Sequence, residues 1–191
     1  MSDVVLRGER VLLRPWTDAD LAPFAEMNAD PEVMRHMIKP LSRDESDAMA
    51  SRIRTHFATR GYGLWALDVP ESDGAMSFAG FIGLSANVPF ELPLPGIVPE
   101  PHEIGWRLAR RAWGRGFATE GARLALSYGF ERIDLPQIVS FTAIRNTASR
   151  AVMERIGLTR RGEFDNPRVA PDHPSCRHVL YALDAASTIA T

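Results

Sequence analysis

The sequence has almost no lysine and almost no cysteine. Of its 22 lysines and arginines only Lys39 is a lysine, so a phosphate group would be held by arginine side chains or by backbone amides. Cys176 is the single cysteine, which excludes an internal disulfide and a metal site built from several cysteines. Asp172 and His173 are adjacent but lack a helical partner that could complete a ligand set. We therefore predict no metal.

Long apolar runs and a strong net charge are also absent. No stretch approaches the roughly 18 apolar residues of a membrane span. The segment MSDVVLRGERVLLRPW places arginines where a secretory signal would need an apolar core. The net charge is only −2, so the chain as a whole has no attraction to nucleic acid or to an anionic membrane. We expect a cytoplasmic protein with neither of these partners.

The spacing of apolar residues predicts one domain, 1–191, of mixed strands and helices. A chain of 191 residues with 45% hydrophobic content can bury a full core. Helices are predicted after the capping residues Thr17, Ser42 and Asn146, and one more after Gly116. Strands are predicted at 9–15, 62–69, 77–88, 102–109, 137–144, 158–164 and 176–184. This order predicts an α/β (α+β) protein with a mixed sheet and helices packed against it.

The segment 89–101 is too rich in proline to be a central strand, because proline has no backbone N–H for the ladder. We interpret it as a stiff excursion between two strands. Its apolar residues favour either a partly apolar rim around a binding site or a contact between two copies of the chain.

The segment RRAWGRGFATEG, residues 110–121, combines arginines with two closely spaced glycines just before a helix. Four arginines and no acid lie between Glu103 and Glu120. Gly114 and Gly116 would let the backbone turn its N–H groups toward a ligand, and the helix start adds unpaired N–H groups. The pattern favours a phosphate held by the backbone. A tight turn with solvated arginines is the alternative.

Two common phosphate-binding loops do not fit this segment. A P-loop needs G-x-x-x-x-G-K-[ST], and no lysine is present here. A dinucleotide fingerprint needs G-x-G-x-x-G, whereas Gly114, Gly116 and Gly121 are spaced G-x-G-x-x-x-x-G. The phosphate therefore belongs to another kind of ligand site.

Four ordered blocks resemble the GNAT superfamily of N-acetyltransferases. RRAWGRGFATEG matches the signature R/Q-x-x-G-x-G/A with Arg111, Gly114 and Gly116. EIGWRLAR, N-x-x-S-R-x-V-M-E-R-I-G-L and the opening GERVLLRPWTDADL are similar to the branch of the ribosomal-protein alanine acetyltransferases (RimJ/RimL type). The resemblance covers about Leu6 to Leu183, and we expect a short disordered tail beyond it.

The resemblance implies a GNAT fold, with a central mixed, mostly antiparallel sheet and helices on both faces. The sheet would splay between the family's fourth and fifth strands, HEIGWRLA and QIVSFTAI. Acetyl-CoA, as co-substrate, would place its pantetheine arm in that gap and its pyrophosphate on the glycine turn. The implied cofactor-binding residues are Trp106, Arg107, Leu108, Ala109, Arg111, Gly114, Arg115, Gly116, Phe117, Ala118, Thr119, Asn146 and Ser149.

Two residues are the catalytic candidates that the resemblance implies. Glu103 would accept the proton of the amine, directly or through water; a surface or ion-paired glutamate is the alternative. Ser149 would lie near the sulfur as a proton donor, because the segment NTASRAVMERIGL has no tyrosine, the family's commoner acid. A plain surface hydroxyl is its alternative. Asn146 would contact the pantetheine arm, and it also suits a helix N-cap.

The acceptor implied by the resemblance is a primary amine, on a small molecule or at a protein N-terminus. Phe90, His173 and His178 are the candidate pocket residues, with structural histidines as the alternative. The residues around Phe90 would equally suit a homodimer. The function predicted is direct acetyl transfer from acetyl-CoA to the amine. The alternative is a non-catalytic acyl-CoA-binding sensor.

Overall fold

The computed structural model describes residues 4–86 and 88–185, and its strands form one eight-stranded sheet. The order in the sheet is β1-β2-β3-β4-β5-β6-β8-β7. The strands are β1 (Leu6–Arg7), β2 (Leu12–Arg14), β3 (Leu64–Pro70), β4 (Met76–Ser85), β5 (His102–Leu108), β6 (Gln137–Ala143), β7 (Thr159–Asp165) and β8 (Arg177–Asp184). Only the β5–β6 pair is parallel among these neighbours. The predicted mixed, mostly antiparallel sheet is confirmed.

Helices begin directly after three of the four predicted positions, Ser42, Gly116 and Asn146, whereas Thr17 caps a 3-10 turn that leads into the first helix. They are α1 (Leu21–Ala29), α2 (Pro31–Met34), α3 (Arg43–Arg60), α4 (Phe117–Glu131) and α5 (Thr147–Arg155), with short 3-10 turns at Asp18–Asp20 and Arg110–Ala112. The Ser42 side chain accepts a hydrogen bond from the Glu45 N–H, which starts α3, and Gly61 ends it in a left-handed conformation. Helix α2 was not predicted, because one turn of helix leaves no apolar periodicity to read.

The helices cover both faces of the sheet, as predicted. On one face α4 and α5 bury Ala122, Leu126 and Met153 in the main apolar cluster, with β-strand residues such as Ile82. On the other face α1 and α3 bury Phe24, Met27 and Ile53 against a second cluster. Neighbouring β4 residues Phe81 and Ile82 belong to different clusters, because successive side chains of a strand point to opposite faces.

The sheet opens between β5 and β6. Both strands are seven residues long, yet only His102↔Ile138 and Glu103↔Val139 pair. Beyond Glu103 the two strands diverge, so the remaining edge of β5 faces a gap. The HEIGWRLA and QIVSFTAI segments are therefore the splayed pair that the family resemblance implied. They are numbered β5 and β6 here because a short strand that was not predicted, β1, precedes the predicted strand 9–15, which contains β2.

The proline-rich excursion contains no strand in its described residues 88–101, as predicted. Its apolar residues pack against the chain's own sheet, on a small cluster that contains Val139, Phe164 and Leu180. The Phe90 ring lies 5.5 Å from Phe141 and 6.0 Å from Phe164, centroid to centroid. Much of this apolar surface is thus covered within the molecule. The predicted tail beyond Leu183 falls mainly on residues 186–191, which lie outside the described residues.

Candidate functional site

A cleft of about 1040 Å³ runs from the splayed edge of β5 to the start of α4. Its walls come from the end of β5, the glycine turn, the first turns of α4 and α5, the β1–β2 turn and the α2 segment. Elements from distant parts of the chain thus meet around one space. The cleft lies where the sequence predicted the cofactor.

The amino end of α4 presents unpaired backbone N–H groups to this cleft. The N–H groups from Gly114 to Thr119 have no acceptor among the described residues, and no side chain caps the helix. Gly116, the N-cap, has φ 84°, and Gly114 has φ 71°, both in the left-handed region that favours glycine. A run of outward N–H groups at a helix start binds anions, because the helix dipole adds partial positive charge.

Arginine side chains shape the turn, and one of them, Arg10, is far from the turn in the sequence. Arg10, from the β1–β2 turn, donates to the Arg115 carbonyl oxygen at 3.0 Å and forms an ion pair with Glu120 at 2.9 Å. Arg10 and Arg115 both lie over the Phe117 ring, at 5.4 and 4.6 Å. Arg111 instead forms an ion pair with Glu71 at 3.0 Å, away from the cleft. These contacts fix the turn from outside.

The free edge of β5 offers peptide groups to the gap. The Ser140 hydroxyl donates to the Ile104 carbonyl oxygen at 2.8 Å, so the polar groups of Ile104 face β6. Peptide groups alternate in direction along a strand, and those of Trp106 therefore face the same way, where β6 no longer pairs. The Arg107 peptide faces β4. The Trp106 N–H is therefore directed into the gap, whereas the Arg107 N–H is directed toward β4.

Asn146 and Ser149 form a small hydrogen-bonded unit at the start of α5. Asn146 Oδ1 accepts from the Ser149 N–H at 3.2 Å, and its Nδ2 donates to Thr142 Oγ1 at 2.9 Å and to Ser149 Oγ at 3.0 Å. Asn146 is thus an N-cap, as its alternative interpretation held. Because Ser149 Oγ accepts from Asn146, its own hydrogen remains available. No described residue accepts that hydrogen.

Glu103 lies at the last paired position before the strands diverge. Its carboxyl group has neither a hydrogen bond nor an ion pair with any described residue, so the ion-paired alternative does not hold. The side chain keeps some solvent access but lies deep among protein atoms, and this desolvation raises its pKa from 4.5 to about 8. A carboxyl group with a pKa near neutrality is suited to general base catalysis.

The cleft brings together most of the predicted cofactor residues. It is lined by Trp106, Arg107, Leu108, Gly114, Gly116, Phe117, Ala118, Thr119, Asn146 and Ser149. Ala109, Arg111 and Arg115 do not line it. The Ala109 N–H is used by the Ala79 carbonyl oxygen at 2.8 Å.

The predicted pocket residues lie elsewhere. His178 is buried between Phe141 and Phe164, and its Nδ1 lies 3.1 Å from the Cys176 carbonyl oxygen. His173 Nδ1 accepts from the Ser175 N–H at 3.1 Å within a turn. Phe90 packs on the same face as His178. These contacts agree with the structural interpretation of both histidines.

Several cleft residues were missed by the sequence reasoning. They are Arg10, Glu32, Val33, Arg35, His36, Met37, Trp113, Arg123 and Arg155. Trp113 could have been predicted from the sequence, since it lies directly before Gly114 of the glycine turn. Its indole N–H donates to the Leu108 carbonyl oxygen, and Arg35 lies over its ring at 5.6 Å. Nothing in the local sequence signals Arg10, which meets the turn through contacts more than a hundred residues apart.

Two features are absent from the described part of the chain. No helix among residues 4–86 and 88–185 is long and apolar enough to cross a membrane. Within the same residues no group of three or more His, Cys, Asp and Glu side chains could hold a metal ion.

Comparison with known families gives the class of protein. The family described as Acetyltransferase (GNAT) domain matches residues 10–159, which is most of the chain. The chain therefore belongs to the GNAT acetyltransferase family, and the resemblance drawn from its motifs is confirmed.

Particular relatives follow from sequence and from structure. FsC-acetyl coenzyme A-N(2)-transacetylase of Aspergillus fumigatus is 32% identical over 149 residues, 76% of this chain, and the chain spans 61% of that protein's length. The GNAT-family acetyltransferase from Bacillus anthracis has a TM-score of 0.76 at 21% identity, covering 96% of this chain and 99% of that one. Mycobacterium smegmatis RimJ, solved with a CoA-disulfide, has a TM-score of 0.71 at 21% identity, covering 99% and 89%. These structures share the fold.

Proposed function

We propose that the chain is an acetyl-CoA-dependent N-acetyltransferase that moves the acetyl group directly to a primary amine. The observation that carries the proposal is the run of unpaired N–H groups from Gly114 to Thr119, next to the unpaired edge of β5. Phosphate and pantetheine amides, joined in one molecule, are the groups that such a pair of surfaces would bind. Coenzyme A has both.

The residues present fit this ligand. The start of α4 would hold the pyrophosphate, since its N–H groups are free and the helix dipole favours an anion there. The N–H and C=O of Trp106 would pair with the pantetheine arm as a neighbouring strand would. Bound acetyl-CoA supplies a thioester, which exchanges its C–S bond for a C–N bond to the amine.

Three groups of the chain would serve the transfer. The Trp106 N–H is directed into the gap, where a hydrogen bond would polarise a carbonyl oxygen. Glu103 would take a proton from the amine nitrogen as the C–N bond forms. The Ser149 hydroxyl, whose hydrogen has no acceptor among the described residues, would donate to the departing sulfur. The thiolate is also a competent leaving group without help, so Ser149 would contribute less than Glu103.

The test is release of free thiol from acetyl-CoA across a panel of primary amines, including small molecules and peptide N-termini. Turnover with at least one class of amine supports the transferase. Tight binding of acetyl-CoA without thiol release for any amine would contradict it and favour the sensor. Both proposals need coenzyme A to bind at α4, so binding alone does not separate them.

A further inference from the structure

One face of β5 carries a carboxyl group, then a glycine, then a guanidinium group. Glu103, Gly105 and Arg107 are two residues apart in turn, so they share a face of the strand. Glu103 pairs with Val139 and Arg107 pairs with Phe81, whose side chains lie in clusters on the face opposite α4. At about 3.3 Å per residue, the Cα atoms of Glu103 and Arg107 are about 13 Å apart.

The Arg107 guanidinium has no counter-ion among the described residues. Its Nη1 donates to Asn28 Oδ1 at 2.6 Å and lies 3.9 Å from Met49 Sδ, and the group stands over the Phe81 ring at 5.5 Å. Its Nε and Nη2 have no acceptor in the described residues. Burial lowers the pKa of Arg107 to about 10, which still leaves it charged at neutral pH. The residue is half-buried, so its charge is only partly hydrated, and a ligand anion would compensate for the missing water.

Open space lies between Glu103 and Arg107 on this face of the strand. A Cβ atom built on Gly105 would meet nothing within 4 Å, although the residue is half-buried in the centre of the sheet. Arg107 itself lines the cleft. Glu103 and Gly105 do not themselves line the cleft, but space is open over Gly105, and Glu103 and the unpaired guanidinium of Arg107 flank it on the face of β5 opposite α4. We call this space the slot.

From this arrangement we propose that the acceptor is a small molecule with a primary amine at one end and a carboxylate at the other. The inference rests on the proposed function. The amine lies at Glu103, beside the splay, and the carboxylate forms a charge-assisted hydrogen bond with Nε and Nη2 of Arg107. Arg107 is accordingly a specificity-determining residue.

The same slot disfavours polyamines. A second ammonium group would approach the Arg107 guanidinium, which has no counter-ion among the described residues. Like charges in a partly desolvated site repel strongly, because little water screens them. An acceptor with one amine and one carboxylate places its amine at the carboxyl group of Glu103 and its anion at the guanidinium of Arg107.

The test compares acceptors that differ only in the anionic end. The pairs are γ-aminobutyrate and ε-aminocaproate, each against its own carboxamide, and kcat/KM is measured by thiol release. We expect the carboxylates to be preferred by about 10-fold to 100-fold, the range for a hydrogen bond to a charged group. In Arg107→Gln the ratio of carboxylate to carboxamide should fall toward one, mainly through KM.

Two further variants check the space over Gly105 and the choice of arginine. Gly105→Ala adds a methyl group in open space, so the chain should fold while the acceptor KM rises several-fold. Arg35→Gln removes another cation of the cleft, and the carboxylate preference should survive. If Arg35→Gln abolishes the preference and Arg107→Gln does not, the carboxylate is bound elsewhere and the inference is wrong.

The outcomes separate the inference from the function on which it rests. Carboxamides or peptide N-termini acetylated as well as the carboxylates would overturn the inference and leave the transferase intact. Absence of thiol release with every amine would overturn both.

Discussion

Ser140 and Ile104 are joined across the point where the sheet opens. The Ser140 hydroxyl donates to the Ile104 carbonyl oxygen at 2.8 Å, immediately after the last backbone pair between β5 and β6. A side chain here replaces the backbone partner that Ile104 loses when the strands diverge. The bond closes the splay at one end, and the gap beyond it is the space assigned to the pantetheine arm.

Replacing this serine should destabilise the fold. Ser140→Ala leaves the buried Ile104 carbonyl oxygen without its partner, and we expect a loss of about 1–3 kcal/mol in the free energy of unfolding. Urea denaturation measures the change. Ser127→Ala, which removes an exposed hydroxyl bonded to Glu131 one helical turn away, is the matched control and should stay within about 0.5 kcal/mol. Equal stability of the two variants would mean that Ile104 finds another donor.

Glu103 should set the pH dependence of turnover. As a base it must be ionised, so kcat should rise with pH toward a plateau with an apparent pKa near 8. The acceptor for this measurement is an amine that stays neutral over the whole range. Glu103→Gln should lower kcat by about 100-fold or more and remove that inflection. An unchanged profile in the variant would assign the titration to another group.

The Glu103 carboxyl group should also make the folded protein less stable as the pH rises. The pKa of Glu103 is raised from 4.5 to about 8 in the folded protein, so folding favours its protonated form. That contribution is fully present below about pH 4.5 and is lost as the pH rises through 8. Relative to Glu103→Gln, the native chain should therefore lose stability between these values. Denaturant melts across this window provide the check.

The glycine turn can be tested against a glycine with the same backbone angle. Gly116 and Gly74 both have φ 84°, but Gly74 lies in the β3–β4 turn, outside the cleft. Valine at either position should cost about 1–2 kcal/mol or more of stability through left-handed strain. Only Gly116→Val should also raise the KM for acetyl-CoA, by about tenfold or more. A similar KM in both variants would show that the diphosphate binds elsewhere.

Asp20 should account for part of the acid sensitivity of the fold. Burial raises the pKa of Asp20, but hydrogen bonds from Arg14 at 2.8 Å and from the Thr17 N–H at 2.7 Å outweigh it and hold the pKa below its usual value. Its contribution is present above about pH 4 and is lost as the pH falls through the depressed value.

Asp20→Asn should cost about 3 kcal/mol near neutral pH, because it leaves Arg14 with one buried partner, Asp68, where it had two. The difference from the native chain should shrink in acid. Asp18→Asn removes an exposed ion pair with Arg54 and should change stability by less than about 0.5 kcal/mol. If the two asparagine variants behave alike in urea at neutral pH, the buried network is not a determinant of stability.

What the sequence predicted well was local. The caps at Ser42 and Asn146 and the stop at Gly61 were readable because each acts within four residues of its own position. The glycine turn was readable for the same reason. Partners distant in sequence could not be predicted in this way. Arg111 was expected at the phosphate but pairs with Glu71, and the contact of Arg10 with the turn was not predicted. Which arginine meets which anion depends on the register of several strands, which residue types alone do not specify.

Glu103 illustrates a second limit. Its position in a strand could be predicted, but its lack of a partner could not, since four arginines follow it closely in the sequence. In the folded chain Arg107 lies four residues along the strand and Arg111 turns toward Glu71. Charged residues that are close together in the sequence are therefore separated from Glu103 in the folded chain.

The attachment of Arg10 to the carbonyl of Arg115 makes the turn a product of the whole fold. A synthetic peptide covering residues 102–131 would keep every glycine and the helix sequence, yet it would lack this brace and the sheet beneath it. Such a peptide should not recognise coenzyme A. The bond between Arg10 and Arg115 exists only in the folded chain, so coenzyme A bound at the turn should also hold the β1–β2 hairpin in place. Coenzyme A added before heating should therefore raise the melting temperature of the whole molecule.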